Sequence, residues 1–494
     1  MWKNLYLFLS KTLNNFLSWV LNRYLAIKYP IFAVDSSQVT PIPSCAYTWP
    51  DGQGDTAKFL SGEKHRKDWA RVLGVVYRIW SGLTPEIVLT TPEDVKVVFK
   101  DSDLHSKALN NDAGWLMGEL LGQCLGLLTG DGWRKVHATV ACNFRFSNAS
   151  SSWPAISRLI DEHLASLAQQ PRLMDGRLNL TSDLRLLPFW ITAEYIYGPL
   201  NPTSRLELET LVPLVDSLFK RIIQGGWTRY AWSRYLPART NRDIEKFKYQ
   251  WGRLNDILYD RCVLENRNPP IVQIYQAMDK RIITREQGLQ TLHEMLFANL
   301  DVTMGGLSWN LLFLASEPDV QAGIREEIRK AKAEMGDAAI GLERYIMCPG
   351  SLLAAAVLES ARLKPAAAFS IPQAAPTDRV VGGFLVPAGI NFIVDTHAIN
   401  IENPYWGSDR GQYRPSRFQE RKAWETRYNY WRFGFGPRQC VGKHLADVTI
   451  RGVIARLVED YHLSMMYAST WQRNPDTWIL ESNTELQCEK INRS

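Results

Sequence analysis

Apolar side chains recur every three or four residues over much of this chain, a spacing typical of helices buried on one side. The pattern covers residues 152–270, with interruptions at prolines, and residues 284–316, where it runs through Leu292 and Leu296. Pro318 ends the second stretch, because the residue before a proline disfavours the helical conformation. The pattern therefore predicts a fold that is mainly α.

Short apolar runs bounded by turn residues predict strands between these helices. They cover residues 76–80, 86–89, 365–372, 384–389, 392–395, 463–467 and 478–480. After the first two runs, Thr91 and Pro92 predict a helix start, with Thr91 as the N-cap and Pro92 at the first helical position. The predicted architecture is a helical body with small β lobes.

Residues 1–32 are apolar but interrupted by polar side chains such as Lys11 and Arg23. A membrane-spanning helix needs about 20 apolar residues in a row, which this stretch lacks. Apolar positions at helical spacing, with Trp and Tyr suited to an interface, predict an amphipathic helix on a membrane surface. An amphipathic helix docked on its own domain fits the same pattern. Residues 33–64 are interpreted as a linker, and residues 65–494 as one catalytic domain.

Charge and cysteine content narrow the class of protein. A net charge of +6 over 494 residues is modest and is not that of a nucleic-acid-binding protein. The 7 cysteines are odd in number and scattered, which indicates a reducing compartment rather than a disulfide framework. Glycosylation tripeptides begin at Asn148, Asn179 and Asn492, and we expect them to be unused in a body that faces the cytosol.

One cysteine stands in a loop with glycines on both sides, at the start of an apolar helical pattern. Residues 433–442 are Phe-Gly-Phe-Gly-Pro-Arg-Gln-Cys-Val-Gly. A thiolate ligand needs backbone N–H donors and a helix N-terminus behind it, and glycines let the backbone approach a flat cofactor. Phe433 can shield the Cys440 sulfur from water, and Arg438 can pair with a carboxylate of the cofactor. A plain buried cysteine, or half of a zinc site with His444, are the alternatives, although zinc takes about four clustered ligands.

This loop also carries a family resemblance. Five of its positions match the haem-binding signature F-x-x-G-x-R-x-C-x-G of the cytochrome P-450 family of haem-thiolate monooxygenases, namely Phe433, Gly436, Arg438, Cys440 and Gly442. The resemblance implies the cytochrome P-450 fold and a haem b cofactor. It also implies that the Cys440 thiolate is the axial iron ligand, which favours O–O cleavage.

Two further elements follow in the order typical of that family. Glu359 and Arg362 match its E-x-x-R element, and their spacing places the carboxylate and the guanidinium on one helix face. Arg417 matches the P-x-R-F element and is expected to complete a charge triad behind the cysteine loop. The ordered elements extend the resemblance over most of the chain.

Trp133 and His137 are four residues apart and therefore share one helix face. The family's W-x-x-x-R element places an indole and a cation on the haem propionates. Histidine stands here in place of the arginine, which makes the charge of that contact pH-dependent. We expect Arg134, His137 and Arg438 to bind the propionates. An ordinary helix start with a core tryptophan is the alternative.

Residues 298–303, Ala-Asn-Leu-Asp-Val-Thr, match the family's oxygen-activation motif [AG]-G-x-[DE]-T-[TS] in part. Asp301 fits, but Val302 occupies the place of the usual threonine. Asp301 and Thr303 are the expected proton-delivery residues, although Thr303 is turned by about 100° from Val302 on an α-helix. A local π-bulge, a water or a polar group of the substrate could supply the missing hydrogen bond.

The resemblance implies a monooxygenase that oxidises a small organic molecule with O₂ and electrons from an NADPH-cytochrome reductase. In style it is most similar to filamentous-fungal enzymes of secondary metabolism, held at the endoplasmic reticulum membrane with the catalytic domain facing the cytosol. Two alternatives stay open: an isomerase or dehydratase that does not use O₂, which Val302 favours, and a haem-binding sensor or carrier without turnover.

Two surface features are expected to serve this function. The reductase is expected at basic residues that flank the cysteine loop, although scattered solvated charges would look the same; they are Arg134, Lys135, Arg432, Lys443 and Arg451. An aromatic cluster is expected near the substrate entrance at the membrane, or alternatively as a packed helix connection; it comprises Trp227, Tyr230, Trp232 and Tyr235.

Overall fold

The structure is a computed structural model that describes residues 2–34, 39–107, 114–474, 477, 479–482 and 484–491, with the backbone alone for residues 2–10 and for Asn299. Asn492, in the third glycosylation tripeptide, and Trp478, in the last predicted strand, lie outside the described residues.

Helices dominate the described chain, as the apolar pattern predicts. Their bounds are α1 Trp2–Lys28, α2 Gly62–Leu73, α3 Pro92–Phe99, α4 Trp115–Leu121, α5 Gly130–Val140, α6 Phe146–Ser151, α7 Trp153–Leu167, α8 Pro171–Met174, α9 Leu186–Tyr197, α10 Pro202–Gln224, α11 Arg239–Leu264, α12 Pro270–Asp279, α13 Arg285–His293, α14 Asn299–Ser316, α15 Pro318–Met335, α16 Ala338–Met347, α17 Leu352–Leu363, α18 Ser416–Glu420, α19 Ala423–Thr426 and α20 Lys443–Asp460. Segments of π-helix cover Thr56–Leu60, Glu294–Ala298 and Ala398–Glu402.

The strands form three small sheets. Their bounds are β1 Phe32–Ala33, β2 Val76–Ser81, β3 Thr84–Leu89, β4 Arg177–Asn179, β5 Gln373–Ala374, β6 Arg379–Val381, β7 Phe384–Val386, β8 Asn391–Val394, β9 Tyr461–Met465 and β10 Glu485–Lys490. The sheet orders are β1-β7-β6, β4-β10-β9 and β2-β3-β8-β5. Only the β3–β8 pair is parallel among the described strands.

Two strand predictions are wrong. Residues 365–372 form only an isolated bridge, from Phe369 to Asp395, among the described residues; bends interrupt the first half of the stretch, and its two prolines have no N–H for a ladder. In residues 478–480, the Leu480 N–H donates to the Ala366 carbonyl, and the Trp309 indole donates to the Leu480 carbonyl at 2.7 Å. The last described strand is β10.

One long helix runs through the centre of the molecule. It comprises α13, the π-helical segment Glu294–Ala298 and α14, so the helix predicted over residues 284–316 is confirmed. Thr284 caps it through a reciprocal capping box with Gln287, and it ends just before Pro318. Its second half packs against α9, α17 and α20, so it lies within the main core and is positioned to support a site.

The charge triad predicted behind the cysteine loop is confirmed. Glu359 accepts hydrogen bonds from Arg362 Nε at 2.7 Å and from Arg417 Nε at 3.2 Å, and all three side chains are fully buried. The backbone N–H of Arg414 donates to the same carboxylate at 3.0 Å. The triad ties α17 to the segment that leads into the cysteine loop.

The N-terminal helix combines a docked face with an exposed apolar face. Leu25 is buried beside Tyr47 and Trp80 in the first β lobe. Phe16, Trp19 and other apolar side chains on α1 stay exposed. By length and composition, the only stretch among the described residues that could span a membrane is Ala338–Leu363, and most of it is buried in the protein core.

The predicted linker, residues 33–64, is folded into the body of the protein. It contributes part of β1, which pairs with β7. Lys58 is buried and its ammonium lies 3.0 Å from the Glu86 carboxylate on β3 and 3.0 Å from Asp55. A buried ammonium requires such partners, because an unpaired charge away from water is strongly destabilising. These residues therefore belong structurally to the sheet lobe.

Candidate functional site: a cysteine at the start of α20

The cysteine loop is shaped by its glycines and by the helix that follows it. Gly436 has φ +65°, and a Cβ there would lie 2.2 Å from Ser102 Oγ, so only glycine fits. Cys440 donates its N–H to the Phe433 carbonyl at 2.8 Å, which closes the loop. Because α20 begins at Lys443, the Cys440 sulfur lies beside the positive end of an 18-residue helix.

Cys440 is exposed to solvent, yet it lies deep among protein groups, so it lines a space inside the molecule. Burial raises the pKa of its thiol, and the negative charge of Glu294 adds to this. The Gly442 N–H, Lys107 and Arg432 lower it. Hydrogen bonding and positive charge thus stabilise the thiolate that metal binding requires.

Arg438, Trp133 and His137 come together beside this cysteine. The Arg438 guanidinium carbon is 4.6 Å from the centre of the Trp133 ring, and the Trp133 and His137 rings are 4.7 Å apart. Arg438 also donates to the Leu128 carbonyl at 3.0 Å. Burial lowers the pKa of Arg438 to about 10, and it lowers the pKa of His137, with Arg438 contributing. Trp133 is also part of the main hydrophobic core at the start of α5, so both interpretations of this residue remain open.

Arg134 is not brought to this cluster, contrary to expectation. Its side chain is 57% exposed and binds Asp131 at 2.6 Å on the outer side of α5. Arg134 directly follows Trp133, and a step of one residue turns a side chain by about 100° around a helix. Because Trp133 points inward, the next side chain points toward solvent.

Lys107 is a site residue that the sequence motifs did not reveal. Burial and the nearby Arg438 lower the pKa of its ammonium to about 8, while Glu294 and Cys440 act in the opposite direction. It therefore lies within electrostatic range of both the cysteine and Arg438. Its only sequence signal is that it is a lone cation at the edge of an apolar, glycine-rich segment.

These side chains fit a haem. The space contains one thiol at a helix N-terminus, for the iron, and the cations Lys107 and Arg438, for two carboxylates. The Phe435 ring packs 5.0 Å from Trp431 and 6.1 Å from Phe99, which gives the loop an apolar flank. Among the described residues no cluster of three metal-ligating side chains occurs, so a zinc site at Cys440 and His444 has no further ligands there.

On the long helix, Asp301 and Thr303 have different surroundings. Asp301 accepts hydrogen bonds from Arg185 Nε at 3.2 Å and from its terminal nitrogen at 3.0 Å. Arg185 also binds Asp216, whose side chain is 39% exposed, at 3.0 Å. Thr303 is buried, whereas Val302 keeps part of its surface accessible. The π-helical segment Glu294–Ala298 directly precedes these residues.

The basic residues flanking the cysteine loop are not equally accessible. Arg432 is 12% exposed and binds Asp447 at 2.7 Å. Arg451 donates to the Ile346 carbonyl at 3.2 Å. Lys135 is exposed and Lys443 is partly exposed. Lys135 and Lys443 therefore remain the best candidates for contact with another protein.

The fold and site together define a helical protein built to hold haem through a cysteine. The sequence pattern of the Cytochrome P450 family matches residues 61–487 of this chain. The chain is 46% identical over 471 residues to the cytochrome P450 monooxygenase aclC of Aspergillus oryzae. The aligned region covers 94% of this chain and 95% of the relative. The chain is 39% identical over 487 residues to gliC of Aspergillus fumigatus, covering 97% and 94%.

A solved structure described as zebra fish cytochrome P450 with progesterone superimposes with a TM-score of 0.68 at 18% identity, covering 86% of this chain and 98% of that chain. That likeness supports the fold.

The chain belongs to the cytochrome P450 family, and it is a haem-thiolate monooxygenase. It acts on a small molecule with electrons from a redox partner. The isomerase or dehydratase and the sensor or carrier alternatives are not favoured.

Proposed function

We propose that this monooxygenase belongs to fungal secondary metabolism, works at the endoplasmic reticulum membrane and receives its electrons from an NADPH-cytochrome reductase. The similarity to Aspergillus monooxygenases supports the biological setting. The observation that carries the chemistry is the position of Cys440 at the N-terminus of α20, in the same interior space as Lys107 and near Arg438.

The bound haem supplies an iron centre that binds and activates O₂. Cys440 is its proposed ligand, held in place by the Gly442 N–H and the Phe433 carbonyl. We assign the haem carboxylates to Arg438 and Lys107, with His137 beside them. This arrangement replaces Arg134, which faces solvent, with Lys107. Phe433 and Phe435 keep water away from the sulfur.

Proton delivery is assigned to Asp301. The Arg185 guanidinium binds both Asp301 and Asp216, so it connects the carboxylate on the central helix to one at the protein surface. Val302 has no hydroxyl and Thr303 is buried, and a water or a polar group of the substrate is therefore assigned the hydrogen bond that the family's threonine makes.

Membrane association is assigned to a composite apolar surface. The first part is the exposed face of α1 with Phe16, Trp19 and Ile27. Trp49 links it to the second part, because its N–H donates to Ser18 Oγ on α1 at 2.8 Å and its ring stacks on Tyr230 at 6.3 Å. Trp227, Trp232 and Tyr235 are exposed in that second part. Trp and Tyr are suited to a membrane interface.

A carbonyl difference spectrum tests the haem assignment. Reduced protein with carbon monoxide is expected to absorb at the long-wavelength Soret position of thiolate ligation, and Cys440→Ala is expected to lose this band. Cys142→Ala is the matched control, because Cys142 binds Gln273 away from the site. A thiolate band that persists in Cys440→Ala would refute the assignment.

The redox partner is tested separately. Replacing Lys135 and Lys443 with glutamate is expected to slow reduction by the reductase and to weaken its salt dependence, because opposite surface charges steer association. Substrate binding should not change. Equal reduction rates would exclude these two residues from the docking surface.

A further inference from the structure

The first half of the long helix is hydrogen-bonded to residues 123–126, the segment that follows α4, through a set of contacts called here the clasp. Three of its side chains each accept a hydrogen bond from a backbone N–H of that segment. The pairs are Gln290 with Gln123 at 2.6 Å, Thr291 with Leu125 at 3.2 Å and Glu294 with Gly126 at 2.9 Å. The first two acceptors are neutral, and the third is a carboxylate at the start of the π-helical segment.

The Glu294 carboxylate packs directly against Gly126. A Cβ at Gly126 would lie 1.9 Å from Glu294 Oε1, closer than two atoms can approach. The φ of Gly126 lies outside the left-handed region, so the backbone does not require glycine there. Glycine at this position leaves the space that the second carboxylate oxygen occupies, so a larger residue would displace the Glu294 side chain.

Glu294 lies within electrostatic range of Cys440. Its side chain is partly accessible, although protein groups surround it on all sides. Burial raises the pKa of the carboxyl group, and the Gly126 N–H, the Cys124 thiol and Lys107 oppose that shift. Its charge in turn acts on Cys440. The carboxylate is therefore close to the reactive centre.

A buried carboxylate is an energetically unfavourable group for holding a backbone N–H. Gln290 and Thr291 hold the neighbouring N–H groups without charge, and a neutral side chain at position 294 would do the same. Glu294 accepts hydrogen bonds from the Gly126 N–H and the Cys124 thiol, and Lys107 acts on it electrostatically without an ion pair within 4.0 Å in the described part of the chain. Burying a carboxylate without a paired cation is unfavourable. Because haem carries two carboxylates, the proposed assignment occupies Lys107 and Arg438 and leaves Glu294 without a cation.

We propose that Glu294 binds a nitrogen-bound hydrogen of the substrate, so that this monooxygenase takes substrates with an N–H donor, either an amide or a cationic nitrogen. The proposal rests on the haem-binding function assigned to Cys440. Gly126 holds the carboxylate in place through Oε2 and leaves room for Oε1, which is the atom that accepts from the substrate.

Three probes with one benzyl skeleton test the proposal. N-benzylacetamide has one amide N–H, N-benzyl-N-methylacetamide has none, and benzylguanidinium is a cation. Dissociation constants of the haem-loaded protein are measured from the Soret shift and by calorimetry. The two N–H probes are expected to bind roughly tenfold to a hundredfold more tightly than the tertiary amide, the range of a hydrogen bond to a charged group. Their order tells the amide and the cationic source apart.

Two variants and one control locate the effect. Glu294→Gln keeps an oxygen for the Gly126 N–H but places an NH₂ group at the second position, so it should abolish the preference. Gly126→Ala displaces Oε1 and should reduce it. Gln290→Ala weakens the same clasp without touching the carboxylate and should keep it. Equal binding of all probes, no binding by either N–H probe, a preference that survives in Glu294→Gln, or its loss in Gln290→Ala would each overturn the proposal.

The carbonyl spectrum separates this result from the haem assignment. A wild-type protein without the thiolate band would refute the role of Cys440. A wild-type protein with that band but without discrimination between the probes would refute the role of Glu294 alone.

Discussion

Arg185 holds the Asp301 carboxylate at 3.0 Å and, through the same terminal nitrogen, the Asp216 carboxylate at 3.0 Å. Asp301 lies on the central helix α14 and Asp216 lies on α10 at the protein surface. One guanidinium thus separates the candidate proton donor from bulk water.

Asp301→Asn is expected to slow product formation about a hundredfold, since removing a positioned proton-transfer group costs roughly 10²–10⁴-fold in rate. Val302→Thr should barely raise it. The measurement compares NADPH consumed, peroxide released and product formed, with Asp319→Asn, on the neighbouring helix α15, as the control. Normal turnover in Asp301→Asn together with peroxide release in Thr303→Ala would show that Thr303 is the catalytic hydroxyl.

Glu359→Ala is expected to yield little haem-loaded protein. It leaves Arg362 buried without a carboxylate and Arg417 with Asp409 alone, and breaking a buried ion pair costs roughly 3–5 kcal/mol. Glu326 and Arg329 have the same three-residue spacing on α15, but both are exposed. Glu326→Ala is therefore a matched control that should keep normal haem content, measured as haem per protein after purification. Normal content in both variants would contradict a supporting role for the triad.

Glu481 is expected to make the protein less stable as pH rises. Burial raises the pKa of its carboxyl group to about 7, one oxygen accepts from Asn474 at 2.8 Å, and the other has no partner in the described part of the chain. Asp301, Arg185 and Asp216 are the charged groups that act on it. A Cβ at Gly305, one helical turn after Asp301, would lie 3.7 Å from the Glu481 Cβ, so the two carboxyl groups are neighbours.

The folded state holds the Glu481 proton more tightly than the unfolded state, in which the pKa is 4.5. Stability is therefore greatest below that value and falls as the pH rises toward about 7, by a total of about 3 kcal/mol. Glu481→Gln should raise the urea midpoint at about pH 8 and change it little at about pH 5. Exposed Glu489→Gln is the control. An identical effect of Glu481→Gln at both pH values would rule out a buried neutral carboxyl group.

Replacing Phe16, Trp19 and Ile27 with serine is expected to lower partition onto vesicles at least about tenfold, because each apolar side chain contributes roughly 1.5–3 kcal/mol when buried. These substitutions are more specific than removal of residues 1–32, because that removal would also eliminate the packing of Leu25 against Tyr47 and Trp80. Leu264→Ser, an exposed apolar position on α11, is the control. Unchanged partition would shift the membrane contact to the aromatic cluster, which Trp227→Ser and Trp232→Ser would then test.

Local motifs predicted the parts of this molecule that depend on neighbours in the chain. The spacing of Trp133 and His137 placed both on one face, and the glycines around Cys440 predicted a tight loop. The same spacing of Glu and Arg, however, occurs in the buried pair at Glu359 and in the exposed pair at Glu326. Only tertiary burial distinguishes them.

The residues that sequence reasoning missed are charges whose partners are distant in the chain. Glu294 interrupts an otherwise apolar helical pattern, and its contact with Gly126 spans 168 residues. Lys107 meets Arg438 only after folding. A charge within an apolar pattern is a usable signal, but its role depends on which loop packs against it. Arg134 was predicted at the wrong place because matching a motif does not determine the direction in which a neighbouring side chain points.

The π-helical segment Glu294–Ala298 adds one residue to a turn of the central helix. Positions before and after it are therefore out of phase by about 100° relative to an uninterrupted α-helix. Glu294 can face the segment after α4 while Asp301 faces Arg185, although an uninterrupted helix would rotate one of them away. Because the wide turn accommodates the extra residue, deleting one residue within it would restore a regular helix and leave both groups close to their present faces. Straightening the turn with every residue kept would instead rotate one group away from its partner, so the wide turn lets substrate contact and proton delivery share one helix.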